Sequence, residues 1–330
     1  MSFDVLAIGD TTIDAFIKLT DAVATCDEHG EHCKLCLRYA DKVPYESVEV
    51  LAGVGNSANA AVACARLGLS SALRAYVGDD REGTECIEYF KSQHVDTSLV
   101  ERAPGVKTNY HYVLWYKADR TILIKHERYA YAMPATTPEP KWVYLSSMAD
   151  NSLEYHKEIA TYLMAHPGVK VAFQPGTFQM KLGVDVLKDI YARSEILFCN
   201  KEESQRILKT QEDDVKKLLE GIRALGPKLA VITDGPSGLS ASDGNEQFHL
   251  PMYPDPKPPV ERTGAGDATS STTVAYLEKG LSLQEALKRG LINSASVVQH
   301  VGAQKGLLSA EEIEEWYVRR PAHFVAAPLS

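Results

Sequence analysis

Glu261-Arg262-Thr263-Gly264-Ala265-Gly266-Asp267-Ala268 follows a short proline-rich connection, Pro251 to Pro259, and opens a helix running to about Glu278. Glycines at 264 and 266 let the backbone turn its N–H groups toward one point. A helix starting there adds first-turn N–H groups without intrahelical partners and a partial positive charge. The Gly264, Ala265 and Gly266 amides therefore suit an anion such as a phosphoryl group in transit. Asp267 falls in the first helical turn, where a carboxylate can take the proton of an attacking hydroxyl. The competing reading is that the glycines only make a tight turn and Asp267 only caps the helix. The motif alone does not separate the two.

Working outward, short apolar runs alternate with helical stretches. Val5 to Gly9, Ala72 to Gly78, Trp142 to Ser147, Val169 to Phe173, Glu195 to Cys199 and Leu229 to Thr233 read as buried strands. Ser57 to Leu67, Arg81 to His94, Ser152 to Ala165, Lys201 to Lys209 and Asp213 to Leu225 read as helices. This alternation predicts an α/β fold with a mainly parallel central sheet flanked by helices on both faces. Ala15 to Leu19 and Glu46 to Leu51 are strand-like with no helix between them, and Thr108 to Tyr116 with Thr121 to Glu127 form a hairpin around Ala118-Asp119. These segments predict a small β-sheet lid formed by about 14–52 and 107–128, within a single domain spanning 1–330.

Taken together, the motifs resemble the ribokinase-like, or phosphofructokinase B, carbohydrate kinase family. Thr263-Gly264-Ala265-Gly266-Asp267 is similar to its C-terminal signature. Val54-Gly55-Asn56-Ser57-Ala58-Asn59-Ala60-Ala61, followed by Ala65-Arg66-Leu67-Gly68, resembles its N-terminal one. Asn200-Lys201-Glu202-Glu203 matches an Asn-x-x-Glu motif, Thr233-Asp234-Gly235-Pro236-Ser237-Gly238 a Thr-x-Gly-x-x-Gly turn, and Asn293 to Ala303 a closing helix and Gly-Ala turn. A Walker phosphate loop is absent.

The resemblance implies an ATP- and Mg²⁺-dependent phosphotransferase acting on a hydroxyl of a small sugar or sugar-like acceptor. Asp267 would be the general base and Gly264 to Gly266 the anion hole. Asp14, Gly55, Asn56 and Asn59 would bind the acceptor. Asn200 and Glu203 would order Mg²⁺ and its waters, although Asn and Glu at this spacing also make an ordinary capping box. Thr233, Gly235, Gly238 and Asn293 would line the nucleotide cleft. Three departures stand out. Val54 replaces a glycine. Gln174-Pro175-Gly176-Thr177 replaces a more usual Asp-Pro-Asn. Glu261-Arg262 stands where Asp-Thr often helps hold a monovalent cation, which leaves K⁺ activation open.

The acceptor itself stays open at this level. Lys107, Lys125, His126 and Arg128, on or near the hairpin, suit a sugar phosphate or a merely solvated edge. Tyr110, Tyr112 and Trp115 suit a nucleoside. A reading of another class is a non-catalytic nucleotide or sugar sensor, but a sensor would not need the base.

A formal charge of -9 argues against nucleic acid or an anionic membrane as a general partner. No apolar run approaches the roughly 20 residues of a membrane span, and no leader is visible, so the cytoplasm is expected. The six cysteines do not suggest an extracellular disulfide framework. Cys26, His29, His32, Cys33 and Cys36 cluster instead. Cys26, Cys33, Cys36 and one histidine could complete a structural Zn²⁺ site, or the segment is an exposed loop of reduced thiols. Phe16, Val48, Val50, Tyr112, Leu114, Ile122 and Ile124 give the lid more apolar surface than it can leave bare. Because lids pair in the family, a homodimer through the lid is expected, with polar residues facing substrate and apolar ones the partner.

Overall fold

The computed structural model describes residues 2–26, 33–117 and 119–329. Val5–Ile8 explains the central layer. All four residues are fully buried, Val5 and Ala7 in one apolar core and Leu6 and Ile8 in the other. Side chains alternate across a strand, so such a run is stable only between two layers of helices. This strand lies inside a 10-stranded sheet. The order is Ala327–Pro328, Gln247–Leu250, Leu239–Ser242, Leu229–Thr233, Ile196–Asn200, Lys170–Phe173, Trp142–Leu145, Val5–Ile8, Ser71–Gly78, Val100–Ala103. Pairing is parallel from Leu229–Thr233 to Val100–Ala103 and antiparallel at the other edge.

The sequence reading placed six of the seven parallel strands, and the helices it named, to within a few residues. It did not foresee the parallel edge strand Val100–Ala103, the antiparallel edge, or the helices Thr177–Leu182, Lys188–Arg193 and Ala310–Val318. The last does carry a legible start, a capping box between Ser309 and Glu312.

Two helices bring the cleft together. Asn56–Arg66 buries Ala58, Ala60, Ala61 and Ala63, and packs on Ala265–Glu278. Alanines let the two backbones approach closely. The second helix buries a run of hydroxyls from Thr269 to Thr273. Four are satisfied within the helix, where Thr269 donates to Ala265 O (2.9 Å), Ser270 to Gly266 O (2.9 Å), Ser271 to Asp267 O and Thr273 to Thr269 O (2.7 Å).

A 4-stranded sheet lies beside the main one, in the order Tyr45–Val54, Thr12–Leu19, Tyr110–Tyr116, Asp119–Leu123. The hairpin was expected to run to Glu127 but stops at Leu123. His126 leaves the ladder to meet Asp10 (3.0 Å), and the Glu127 amide donates to Asn109 Oδ1 (2.7 Å). The expected division of faces is also corrected. Phe16, Ile122 and Ile124 line the cleft, while Val48, Val50, Tyr112 and Leu123 are exposed, and the register puts them on the opposite face. Both faces are partly apolar.

The zinc expectation is overturned. Cys26 and Cys33 are joined in a disulfide, which removes two thiolates from any ligand set, and Cys36 is free. His29 and His32 lie outside the described residues. Among the described residues, no group of three or more His, Cys, Asp or Glu is disposed to hold a metal ion. No described helix is long and apolar enough to cross a membrane.

Candidate active site

A cleft of about 470 Å³ opens between the main sheet and the small one. Asp267 lies on its wall, 7% exposed, in the first turn of Ala265–Glu278. Gly264 precedes this helix with φ +79°, and a Cβ there would stand 2.2 Å from the Ala303 Cβ. Only glycine fits both the left-handed backbone and that contact. No side chain caps the helix, so its first-turn N–H groups have no side-chain acceptor.

Three carboxamides hold Asp267. Asn56 Nδ2 donates to Oδ1 (2.8 Å), Gln174 Nε2 donates to the same oxygen (3.0 Å), and Asn59 Nδ2 donates to Oδ2 (2.7 Å). Each of two amides is turned by a neighbour. Gln304 Nε2 donates to Asn59 Oδ1 (2.7 Å) and to Gly53 O (2.8 Å). The Tyr144 hydroxyl donates to Gln174 Oε1. Burial, then the Asp267 charge, pushes the Tyr144 phenol well up, so it stays a donor. A carboxylate offers about four lone-pair directions. Three are filled, which leaves one on Oδ2 for a further donor.

On the small-sheet side, Asp10 and Asp14 are 6% and 8% exposed. Asp10 Oδ1 accepts from the Tyr131 hydroxyl (2.7 Å), and His126 Nδ1 lies 3.0 Å from its Oδ2. Asp14 sits 3.3 Å from His111 Nδ1, without hydrogen-bond geometry, so Asp14 Oδ1 and His111 Nε2 are buried with no hydrogen-bond partner among the described residues. Buried polar atoms left open within a cleft are groups a ligand can satisfy.

At the other side of the cleft, Asn200 and Glu203 form a capping box. Asn200 Oδ1 accepts from the Glu203 amide (2.8 Å), and Glu203 Oε2 accepts from the Asn200 amide (2.9 Å). Burial holds the Glu203 carboxyl above its ordinary range. Glu203 Oε1 has no hydrogen bond within the described protein. A desolvated carboxylate with one open oxygen fits a hydrated Mg²⁺. Glu261 does not fit a monovalent cation as well. Its oxygens accept from the Thr263 and Gly302 amides (2.7 and 2.9 Å), and Arg120 reaches within 3.9 Å.

Of the residues singled out in the sequence, Asp14, Gly55, Asn56, Asn59, Asn200, Glu203, Thr233, Gly264, Gly266 and Asp267 line one cleft. Ala265, Gly235, Gly238 and Asn293 do not line it. Asn293 is fully buried, donating to Thr272 Oγ1 (2.8 Å) and accepting from the Leu308 amide (2.9 Å). It staples two helices rather than facing the cleft. Gly238 lies where a Cβ would meet Leu250 O at 2.2 Å. Lys107, Lys125 and Arg128 also lie outside, with Lys125 paired to Glu127 and Arg128 to Asp150. Tyr110, Tyr112 and Trp115 do not line the cleft either. Sequence reasoning missed Asp10, His111, Arg120, Phe178 and Gln304. Only Gln174 carried a signal, as a departure from a familiar motif.

The model of the pfkB family carbohydrate kinases matches residues 10–310. The chain is similar to the ATP-dependent 6-phosphofructokinase of Thermoanaerobacterium thermosaccharolyticum, 27% identical over 277 residues, covering 80% of this chain and 84% of that one. It is similar to the ribokinase of Bacillus subtilis, 25% identical over 266 residues, covering 79% and 86%. Its fold is like that of the nucleoside kinase of Methanocaldococcus jannaschii, with a TM-score of 0.78 at 19% identity over 96% and 98% of the two chains. With a match over most of its length, the chain belongs to the pfkB family of carbohydrate kinases.

Proposed function

We propose that this protein transfers the γ-phosphoryl group of ATP to a hydroxyl of a small polyhydroxylated acceptor, with Asp267 as general base. The observation that carries the reading is the Asp267 carboxylate itself. It is fixed by three amides, keeps one open lone pair, and stands beside an uncapped helix N-terminus.

In this reading the acceptor hydroxyl gives its proton to Asp267 Oδ2 while its oxygen bonds to the γ-phosphorus. The bond from that phosphorus to the bridging oxygen breaks, and ADP leaves. The Gly264 to Gly266 amides meet the charge on the transferring group. Asp14, Asn56 and Asn59 orient the acceptor, with Gly55 allowing it close to the backbone. Asn200 and Glu203 would hold the waters of Mg²⁺, which supplies charge neutralisation on the phosphates when bound. Thr233 borders the nucleotide, and Arg120 and Arg262 lie where they can meet its phosphates. We take residues 1–330 as one kinase domain with the small sheet as its lid. The exposed apolar outer face of that lid supports a homodimer formed lid to lid.

The test is ADP release from ATP and Mg²⁺ across free sugars, nucleosides and sugar phosphates. Acceptor-dependent ADP release supports the reading. ATP binding with no ADP from any acceptor would instead favour a sensor.

A further inference from the structure

The lid side of the cleft holds two carboxylate–imidazole pairs, Asp10 with His126 and Asp14 with His111, whose rings are 5.2 Å apart. Beside them is an apolar wall. Phe178 meets the His126 ring edge-on at 5.5 Å and has the Lys181 ammonium 5.2 Å from its centroid. Phe16, Ile122 and Ile124 face the same cleft from the lid, and Ile122 and Ile124 expose 37% and 55% of their surface.

These two halves constrain the acceptor differently. The pairs can both accept from and donate to hydroxyls, and Asp14 Oδ1 and His111 Nε2 are buried without hydrogen-bond partners among the described residues. Vicinal hydroxyls satisfy such a set. The wall cannot pair a hydroxyl at all, so a free sugar, polar on every side, would leave groups unsatisfied there. A phosphorylated acceptor meets a second obstacle. Among the described residues, the lysine and arginine side chains lining the cleft are Arg120, which reaches from the lid strand Asp119–Leu123 toward Glu261 (3.9 Å), and Arg262 in the transfer loop. On the lid side an acceptor phosphate would face the Asp10 and Asp14 carboxylates.

Resting on the kinase reading above, we propose that the acceptor is an uncharged nucleoside. Its ribose hydroxyls are read by the Asp10–His126 and Asp14–His111 pairs, and its base lies against Phe178, Phe16, Ile122 and Ile124.

The experiment has two arms on the full-length chain. In the first, ADP release is compared for adenosine, cytidine, ribose and fructose 6-phosphate. In the second, calorimetry measures binding of the same compounds to Asp267→Asn, which retains the lid pairs. The expected result is a kcat/KM for at least one nucleoside about tenfold or more above that for ribose, with fructose 6-phosphate inactive. Phe178→Ala should lower kcat/KM for the nucleosides about tenfold more than for ribose. His126→Gln and His111→Gln should weaken both, and thermal melting checks that each variant folds. Turnover of fructose 6-phosphate above either nucleoside, or ribose equal to the nucleosides, overturns the acceptor assignment and leaves the kinase reading intact. Nucleoside binding with no ADP from any compound upholds the assignment and overturns the kinase reading. No nucleoside binding in either arm overturns the assignment.

Discussion

Gln174 donates to Asp267 Oδ1 across 3.0 Å, while Tyr144 fixes that amide from behind by donating to its Oε1. The two residues lie 93 positions apart in the chain. Gln174 stands where the family more usually has an aspartate, so the proposed base meets a neutral donor there instead of a second negative charge. Replacing Gln174 by Leu should lower kcat about tenfold with little change in KM for ATP, because a hydrogen bond to a charged group is lost. Gln174→Glu should do more. A carboxylate there cannot donate to Asp267 and sets a like charge beside it, so kcat should fall further than in Gln174→Leu. A Gln174→Glu protein with wild-type kcat would remove Gln174 from the account.

Glu203 combines a stability cost with a proposed role. Burial holds its folded pKa above the ordinary glutamate value, so the fold disfavours the ionised form. The sign follows from linkage. Stability is lost as pH rises through the raised folded value, and none is lost below the unfolded one. Glu203→Gln should therefore melt above the wild type at pH 7 without Mg²⁺, by up to a few degrees, and together with it near pH 4. The same variant should lose Mg²⁺-dependent activity. Melting scans at the two pH values and a Mg²⁺ titration check both halves, and a Glu203→Gln variant less stable at pH 7 would contradict the first.

The loop glycines differ in what they tolerate. A Cβ on Gly264 would stand 2.2 Å from the Ala303 Cβ, at φ +79°, whereas on Gly266 its nearest neighbour would be Gln174 Nε2 at 3.9 Å. Gly264→Ala should cost roughly 1–3 kcal/mol in urea unfolding. Gly266→Ala should unfold like the wild type yet lose turnover, since its methyl would intrude where the phosphoryl group passes. Equal effects on stability would show that the loop is not shaped as described.

Much of this was legible in the chain. Val5 to Gly9, apolar without alternation, announced a strand buried on both faces, and the glycines and aspartate of 264–267 announced the cleft. Long-range partners were not legible. Nothing local says that Gln304 turns Asn59, or that His126 leaves its hairpin for Asp10, because these contacts exist only once the sheet is assembled. Asn293 shows the converse error. Its motif suggested a nucleotide contact, and the fold spends both of its polar groups between Thr272 and Leu308. The cysteine spacing misled in the same way, since spacing alone does not distinguish a ligand set from the Cys26–Cys33 disulfide.

The outer lid face bears on assembly. Val48 and Val50 are 49% and 51% exposed, beside Tyr112 at 48% and Leu123 at 51%. Light scattering at micromolar concentration should give a dimeric mass. Val48→Glu and Leu114→Glu should each shift it to the monomer and lower activity with it. A monomeric mass for the wild type with ATP and acceptor bound would defeat the lid-to-lid arrangement.

The central claim is that Asp267 removes the acceptor's proton, and the direct measurement is single-turnover phosphoryl transfer by Asp267→Asn. An amide there can keep its oxygen for Asn56 and Gln174, loses the bond from Asn59, and cannot take a proton. The account predicts a transfer rate lower by roughly 10²–10⁴-fold, with ATP binding and melting temperature close to the wild type. A folded Asp267→Asn protein that transfers the phosphoryl group at near the wild-type rate would contradict it.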